Sequence, residues 1–147
     1  MEQDKDKLAE ACAEVMWASD TASQALGMKI ERVAAGEAVL SMDVREDMCN
    51  GHGTCHGGFM FTLADSAFAF ACNGRNQRSV AQHCSITYIN APLAGDRLTA
   101  SAKEVSRQGR SGIYDVSVTK QDGTVVAEFR GHSRTIKGTL LGTEEEG

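Results

Sequence analysis

Positive charge is in short supply: 15 Lys and Arg stand against 20 Asp and Glu in 147 residues, a formal net charge of -5 at pH 7. A protein that grips nucleic acid needs a dominant basic face, so nucleic acid is set aside as a main partner. A small anionic ligand stays open where cations are locally concentrated. Long apolar runs are missing too, since nothing approaches the roughly 18 residues of a membrane-spanning helix. No N-terminal run combines a basic start, an apolar stretch and a cleavage site, and a soluble, cytoplasmic protein with no membrane partner is expected. Five cysteines is an odd count, which argues against a disulfide framework and for reduced thiols. Repeats, low-complexity tracts and linkers are also absent. One domain over residues 1–138 is expected, long enough for a real core, with 1–24 as a helical cover and 139–147 as a disordered acidic tail.

The most telling scarcity is local. Between His56 and Gly74 the only residue with a full charge at neutral pH is Asp65. Around it, Phe59, Leu63 and Ala67 fall on one helical line and Met60, Ala64, Phe68 and Ala71 on the next. The apolar surface runs most of the way round, which marks a helix buried on nearly every side. A carboxylate is rarely withdrawn from water unless it is well paired or has a task. The helix entry is equally unusual: Asn50, Gly51, Gly53, Gly57 and Gly58 leave the first-turn N–H groups unobstructed. Free N–H groups at the positive end of a helix dipole suit a developing oxyanion. Gly57 and Asp65 are eight residues apart, about 12 Å along a helix axis, so they cannot both touch one carbonyl. If both act, they act from two antiparallel copies, and the enzyme is an obligate homodimer.

The rest of the chain reads as wrapping. Asp4 to Trp17 carries Leu8, Ala11, Cys12, Val15 and Met16 at helical intervals, an amphipathic cover helix. Residues 19–27 read as a polar connector. Met28 to Ala34 and Glu37 to Val44 form a hairpin about Ala35-Gly36, and Arg45 to Asn50 is a loop. After Gly74 the period switches to alternation in four strands: Ser79 to Tyr88, Asp96 to Ser106, Gly112 to Lys120 and Thr124 to Lys137. The fold class is α+β: one long central helix wrapped by an antiparallel sheet of about six strands, plus an N-terminal helix.

Asn50-x-x-Gly53-x-x-His56-Gly57-Gly58 followed by Leu63-x-Asp65 resembles the signature of hotdog-fold acyl-CoA thioesterases, specifically the PaaI-like branch associated with phenylacetate degradation. Ile86-Thr87-Tyr88 and Gly109-Arg110-Ser111-Gly112 extend the likeness over about residues 25 to 138. The resemblance implies a hotdog fold, no redox cofactor and dimers paired into tetramers. It also implies hydrolysis of an acyl-CoA to free acid and CoA, with an aromatic acyl group such as phenylacetyl or a hydroxylated relative. Residue by residue, it makes Asp65 the general base or nucleophile, the Gly57 N–H the oxyanion donor and Asn50 a group orienting the acyl carbonyl or the water. His56 supports the helix start.

Gly58, Phe59 and Met60 adjoin that site, Phe59 and Met60 as candidate walls of an acyl pocket. Arg130, His132 and Arg134 lie two apart on the last strand, and Lys103, Arg107 and Arg110 with Ser111 lie near the preceding hairpin. Together they form a candidate patch for the phosphates of coenzyme A. Related enzymes place a serine or threonine from the strand after the helix near the carboxylate. Here Ser79, Ala81, His83 and Ser85 occupy that region, and Ala81 leaves the group in doubt, with His83 as a substitute. Two rivals remain. Cys49, His52, Cys55 and His56 offer zinc four ligands in a compressed spacing, a reading set below a metal-free site. A hydratase or dehydratase of the same fold, or a non-catalytic acyl-CoA-binding protein, is the functional alternative.

Overall fold

Helical spacing ends at Cys72 and alternation begins at Ser79, and the residue between them that joins the two is Asn73. The computed structural model describes residues 2–142. The buried Asn73 side chain donates to the carbonyls of Ala69 (2.9 Å) and Ser79 (3.1 Å) and accepts from the Ser79 N–H at 2.8 Å. A satisfied buried amide of this kind fixes the angle at which the strand leaves the helix. The elements are α1 (Glu2–Ser19), α2 (Thr21–Ala25), β1 (Lys29–Ala34), β2 (Glu37–Asp43), a 3₁₀ turn (Glu46–Met48), α3 (Gly57–Cys72), β3 (Ser79–Tyr88), β4 (Arg97–Gln108), β5 (Ser111–Thr119) and β6 (Val125–Thr135). The strands make one six-stranded sheet of order β1-β2-β4-β5-β6-β3 with every pairing antiparallel. The expected strand count holds, and the order, which the sequence left open, places β1 and β3 at the two edges.

Helix α3 lies across the sheet, chiefly over β2, β4 and β5. Leu63, Ala64, Ala67, Phe68 and Ala71 are at most 1% exposed, against Leu40, Met42, Leu98, Ala100, Val116 and Val118. The small residues let the helix axis approach the strands, and Phe68 fills the space left over. Its ring packs on Tyr114 and Phe129 at centroid distances of 5.7 and 5.9 Å. A Cβ at Gly131 would come within 2.8 Å of that ring, so β6 needs glycine there. Helix α1 covers the β1 edge, burying Ala9, Cys12 and Ala13, with Trp17 tilted against Phe70.

Two expectations are revised. The connector at 19–27 contains the short helix α2, capped by Asp20, whose carboxylate accepts from the Ser23 N–H (3.0 Å) and hydroxyl (2.7 Å). One turn is too short for periodicity to announce. Disorder from Thr139 onward also starts too early, because Asn76 Oδ1 accepts from the Leu140 and Leu141 N–H groups at 3.0 and 2.7 Å. The remainder of that tail, 143–147, lies outside the described residues. Among the described residues, no helix is long and apolar enough to cross a membrane.

Candidate active site

The loop before α3 is built around Asn50. Its side-chain oxygen accepts from the His52 N–H (2.9 Å), the Thr54 N–H (3.3 Å) and the Thr54 hydroxyl (3.2 Å). This is the ordinary turn-forming use of asparagine, yet it occupies only the oxygen. Among the described residues the Asn50 amide nitrogen has no partner, and it remains a donor. Gly53 takes φ +80°, which closes the turn. His56 N–H then donates to Met48 O and Cys55 N–H to Pro92 O, both at 2.8 Å, which delivers the chain to the helix start.

His56 is the helix N-cap: its Nδ1 accepts from the Gly58 N–H at 2.9 Å. With Nδ1 accepting, Nε2 is the ring nitrogen left to donate. This bond holds the helix start and occupies the Gly58 N–H. The next N–H toward the helix tip, that of Gly57, meets no acceptor among the described residues. The Gly57 carbonyl accepts from the Tyr88 hydroxyl at 3.0 Å, and a Cβ on Gly57 would sit 2.8 Å from Tyr88 Cζ. Glycine is therefore required by contact with β3. Beside it, Cys55, Met60, Tyr88, Ile89 and Asn90 line a groove of about 420 Å³. Met60 is itself 3% exposed and belongs mainly to the core, while Phe59 is half-buried and meets the His56 ring edge-on at 6.3 Å.

Asp65 lies two turns further along α3, half-buried, facing β3. Burial pushes its carboxyl above the usual carboxylate range. No cation offsets this: its one hydrogen-bond contact among the described residues is the Cys84 thiol, with Sγ 4.0 Å from Oδ1. The proposed substitute, His83, is corrected. It stands opposite His132 in the register and meets that ring edge-on at 5.5 Å, on the sheet face away from α3. Ser85, opposite Arg130, faces the same way. The group beside the carboxylate is Cys84, which the sequence reading missed.

The basic patch is only partly assembled. Arg134 stands opposite both Ser111 and Val80, and the Arg110 guanidinium donates to Thr135 O at 3.2 and 3.3 Å, so Arg110, Ser111 and Arg134 share one end of the sheet. Arg130 is held in a two-point ion pair with Asp115 (2.6 and 2.8 Å) and is not free for phosphate. Val80 and Tyr88 are eight residues apart on β3, about 26 Å at roughly 3.3 Å per residue. Within one chain the cations therefore lie far from Gly57. As for the zinc alternative, no three His, Cys, Asp or Glu side chains among the described residues are grouped to hold a metal ion.

Residues 52–127 match the thioesterase superfamily model. Acyl-coenzyme A thioesterase PaaI of Escherichia coli K12 is 44% identical over 131 residues, 88% of this chain and 93% of that protein. The solved structure of the E. coli PaaI protein from the phenylacetic acid degradation operon superposes with a TM-score of 0.90 at 41% identity, covering 91% of this chain and 97% of that one. A hypothetical thioesterase of Streptococcus pneumoniae TIGR4, solved with coenzyme A, superposes with a TM-score of 0.72 at 27% identity, over 76% and 87% of the two chains. The chain belongs to the thioesterase superfamily, as a PaaI-like, hotdog-fold acyl-CoA thioesterase.

Proposed function

We propose that the chain hydrolyses aryl-acyl-CoA thioesters of the phenylacetyl type at composite sites, each made by the Gly57 N–H of one protomer and Asp65 of an antiparallel second copy. One observation carries this reading: among the described residues the Gly57 N–H meets no acceptor and the Asp65 carboxylate no cation, and both lie on a single α3, about 12 Å apart along its axis, beside the sheet edge β3. In such a dimer the carbonyl oxygen of the thioester accepts from Gly57, at the positive end of the helix dipole. The Asn50 amide donates to the carbonyl or to the water. Asp65 of the facing copy takes the proton of the attacking water, or itself attacks the carbonyl carbon to give a mixed anhydride that water then hydrolyses; in either case the C–S bond breaks, and CoA thiolate leaves and is protonated.

Antiparallel pairing along β3 also answers the 26 Å separation. It carries the Arg110, Ser111 and Arg134 end of one chain toward the Gly57 end of the other, where those residues take the phosphates of CoA. The groove beside Met60 and Tyr88, with Phe59 nearby, takes the aromatic acyl group. The similarity to PaaI of E. coli supports the acyl choice, and the coenzyme A in the S. pneumoniae structure supports the carrier. Family resemblance supports a further pairing of dimers into a tetramer. Five free cysteines fit a reducing cytoplasm. Thiol release from phenylacetyl-CoA tests the reading. Asp65→Asn is expected to lose about 10²- to 10⁴-fold in kcat, the usual worth of a positioned acid or base, while remaining a folded dimer, and a mutant near full rate removes Asp65 from the chemistry.

A further inference from the structure

We propose that Cys84 is a positioning residue for this hydrolysis: its thiol donates to Asp65 Oδ1 and leaves the second carboxylate oxygen aimed at the substrate. The inference rests on the reading of Asp65 as the reacting carboxylate. Strand β3 is regular except at Gln82, which has no partner between Ala81, opposite Ser133, and His83, opposite His132. Directly opposed residues of an antiparallel pair share a face. On β6 the buried positions turned toward α3 are Phe129, Gly131 and Ser133. Ala81, Cys84 and Ile86 therefore face the helix, while His83 and Ser85 turn away. The Ala81 and Ile86 side chains have no polar atom, so of these three Cys84 alone presents a side-chain proton to Asp65.

Neighbouring hydroxyls on the helix are committed elsewhere. Ser66 Oγ is 3.0 Å from Ser23 Oγ, which bonds Asp20, and the Thr62 hydroxyl donates back to Gly58 O at 2.8 Å. The titratable groups around Asp65 are Cys72 from α3 itself and Cys84 from β3, with no cation from either. Burial, and then the charge of Asp65, hold the Cys84 thiol above its ordinary range, so it stays protonated and able to donate at neutral pH. A weak donor has a specific advantage here. A guanidinium or a pair of backbone N–H groups would orient the carboxylate but depress its pKa strongly; a thiol, a weaker donor, orients it with a smaller depression.

The test compares Cys84→Ala, Cys84→Ser and Asp65→Asn in thiol release from phenylacetyl-CoA across pH, with assembly checked by size exclusion. Removing a donor to an ionised group is expected to lower kcat about tenfold with KM little changed. It also moves the acid limb of the kcat profile to higher pH, because the charged carboxylate has lost a stabilising bond. Cys84→Ser keeps most of the rate, with the limb at or below its wild-type position. The proposal is overturned if Cys84→Ala keeps both rate and limb, or if the serine variant loses as much as alanine. Should Cys84→Ala fail to assemble, the serine variant decides alone: a limb shifted upward overturns it. Asp65→Asn separates the two readings, since an active Asp65→Asn sinks the proposed function, whereas an inactive one beside a silent Cys84→Ala sinks only the role of Cys84.

Discussion

The two edges of the sheet are guarded very differently. Strand β1 is six residues long, interrupted by a register shift between Ile30 and Arg32, and overlaid by α1. It carries charges tied into ion pairs, Arg32 with Glu37 and Glu31 with Arg97. These are the devices that keep an edge from pairing with another chain. Strand β3 is ten residues long and bears no Lys, Arg, Asp or Glu from Ser79 to Tyr88, while Val80 and Tyr88 remain 45% and 49% exposed. A long, uncharged, uncovered edge is a template for another strand, and a second copy of the same chain is the commonest partner of such a surface. The unprotected edge is also the one that faces Asp65 and touches Gly57. In the proposed dimer this unprotected edge is where a second copy completes the site.

The contrast is broken most directly by guarding β3. Ser85→Lys, opposite Arg130, together with Thr87→Lys, opposite Glu128, places two cations on the outer side of the strand, and an antiparallel copy would bring two more. Sedimentation should show the dimer giving way to monomer, and thiol release should fall about 10²- to 10³-fold, the scale of losing an oxyanion donor. Glu31→Lys on β1 should leave both unchanged. A monomer with full activity would end the composite-site reading. Gly57→Ala is the next largest effect. Its Cβ meets the Tyr88 ring at 2.8 Å, so the helix tip or Tyr88 must shift, and a displacement of about 1 Å at a reacting centre costs around 10²-fold. Steady-state kinetics should show this in kcat, with the fold retained. Gly131→Ala makes a clash of the same size on β6, against the core ring of Phe68 rather than against Tyr88 at the helix start. There the expected outcome is a loss of about 1–3 kcal/mol in denaturant unfolding, the usual cost of overpacking, with kcat per folded molecule preserved.

How much of this was legible in the sequence follows from what each feature depends on. The central helix and the four strands after Gly74 were readable because their periods are local and their turns carry Gly or Asn. Asp65 stood out because nothing near it in sequence is charged. His56 as a cap and Gly57 as a bare N–H followed from their place at a helix start. Cys84 was not readable, because the unpaired residue at Gln82 exists only through the register with β6. Simple alternation puts Ala81, His83 and Ser85 on one face, and one extra residue exchanges His83 for Cys84. The neutralisation of Arg130 by Asp115 was hidden for a similar reason, since fifteen residues separate partners that only the β5–β6 pairing brings together. Strand order lay beyond the sequence for the same cause, and with it the identity of the open edge.

The smallest predicted effect is also the one that distinguishes the isolated chain from the assembled enzyme. Burial raises the Asp65 carboxyl in the folded chain above its unfolded value, so the folded state binds the proton more tightly than the unfolded one. Stability is then full below the unfolded pKa and declines as pH rises through the folded pKa. Asp65→Asn removes that decline, and its thermal midpoint should match wild type in acid and exceed it at neutral pH. In a dimer the partner's helix start lies against the carboxylate and favours its charged form, which shrinks the advantage. Introduced into the Ser85→Lys, Thr87→Lys monomer, Asp65→Asn should therefore raise the neutral-pH midpoint more than it does in the dimer. Equal gains in both backgrounds would mean that no helix tip faces Asp65 across the β3 edge.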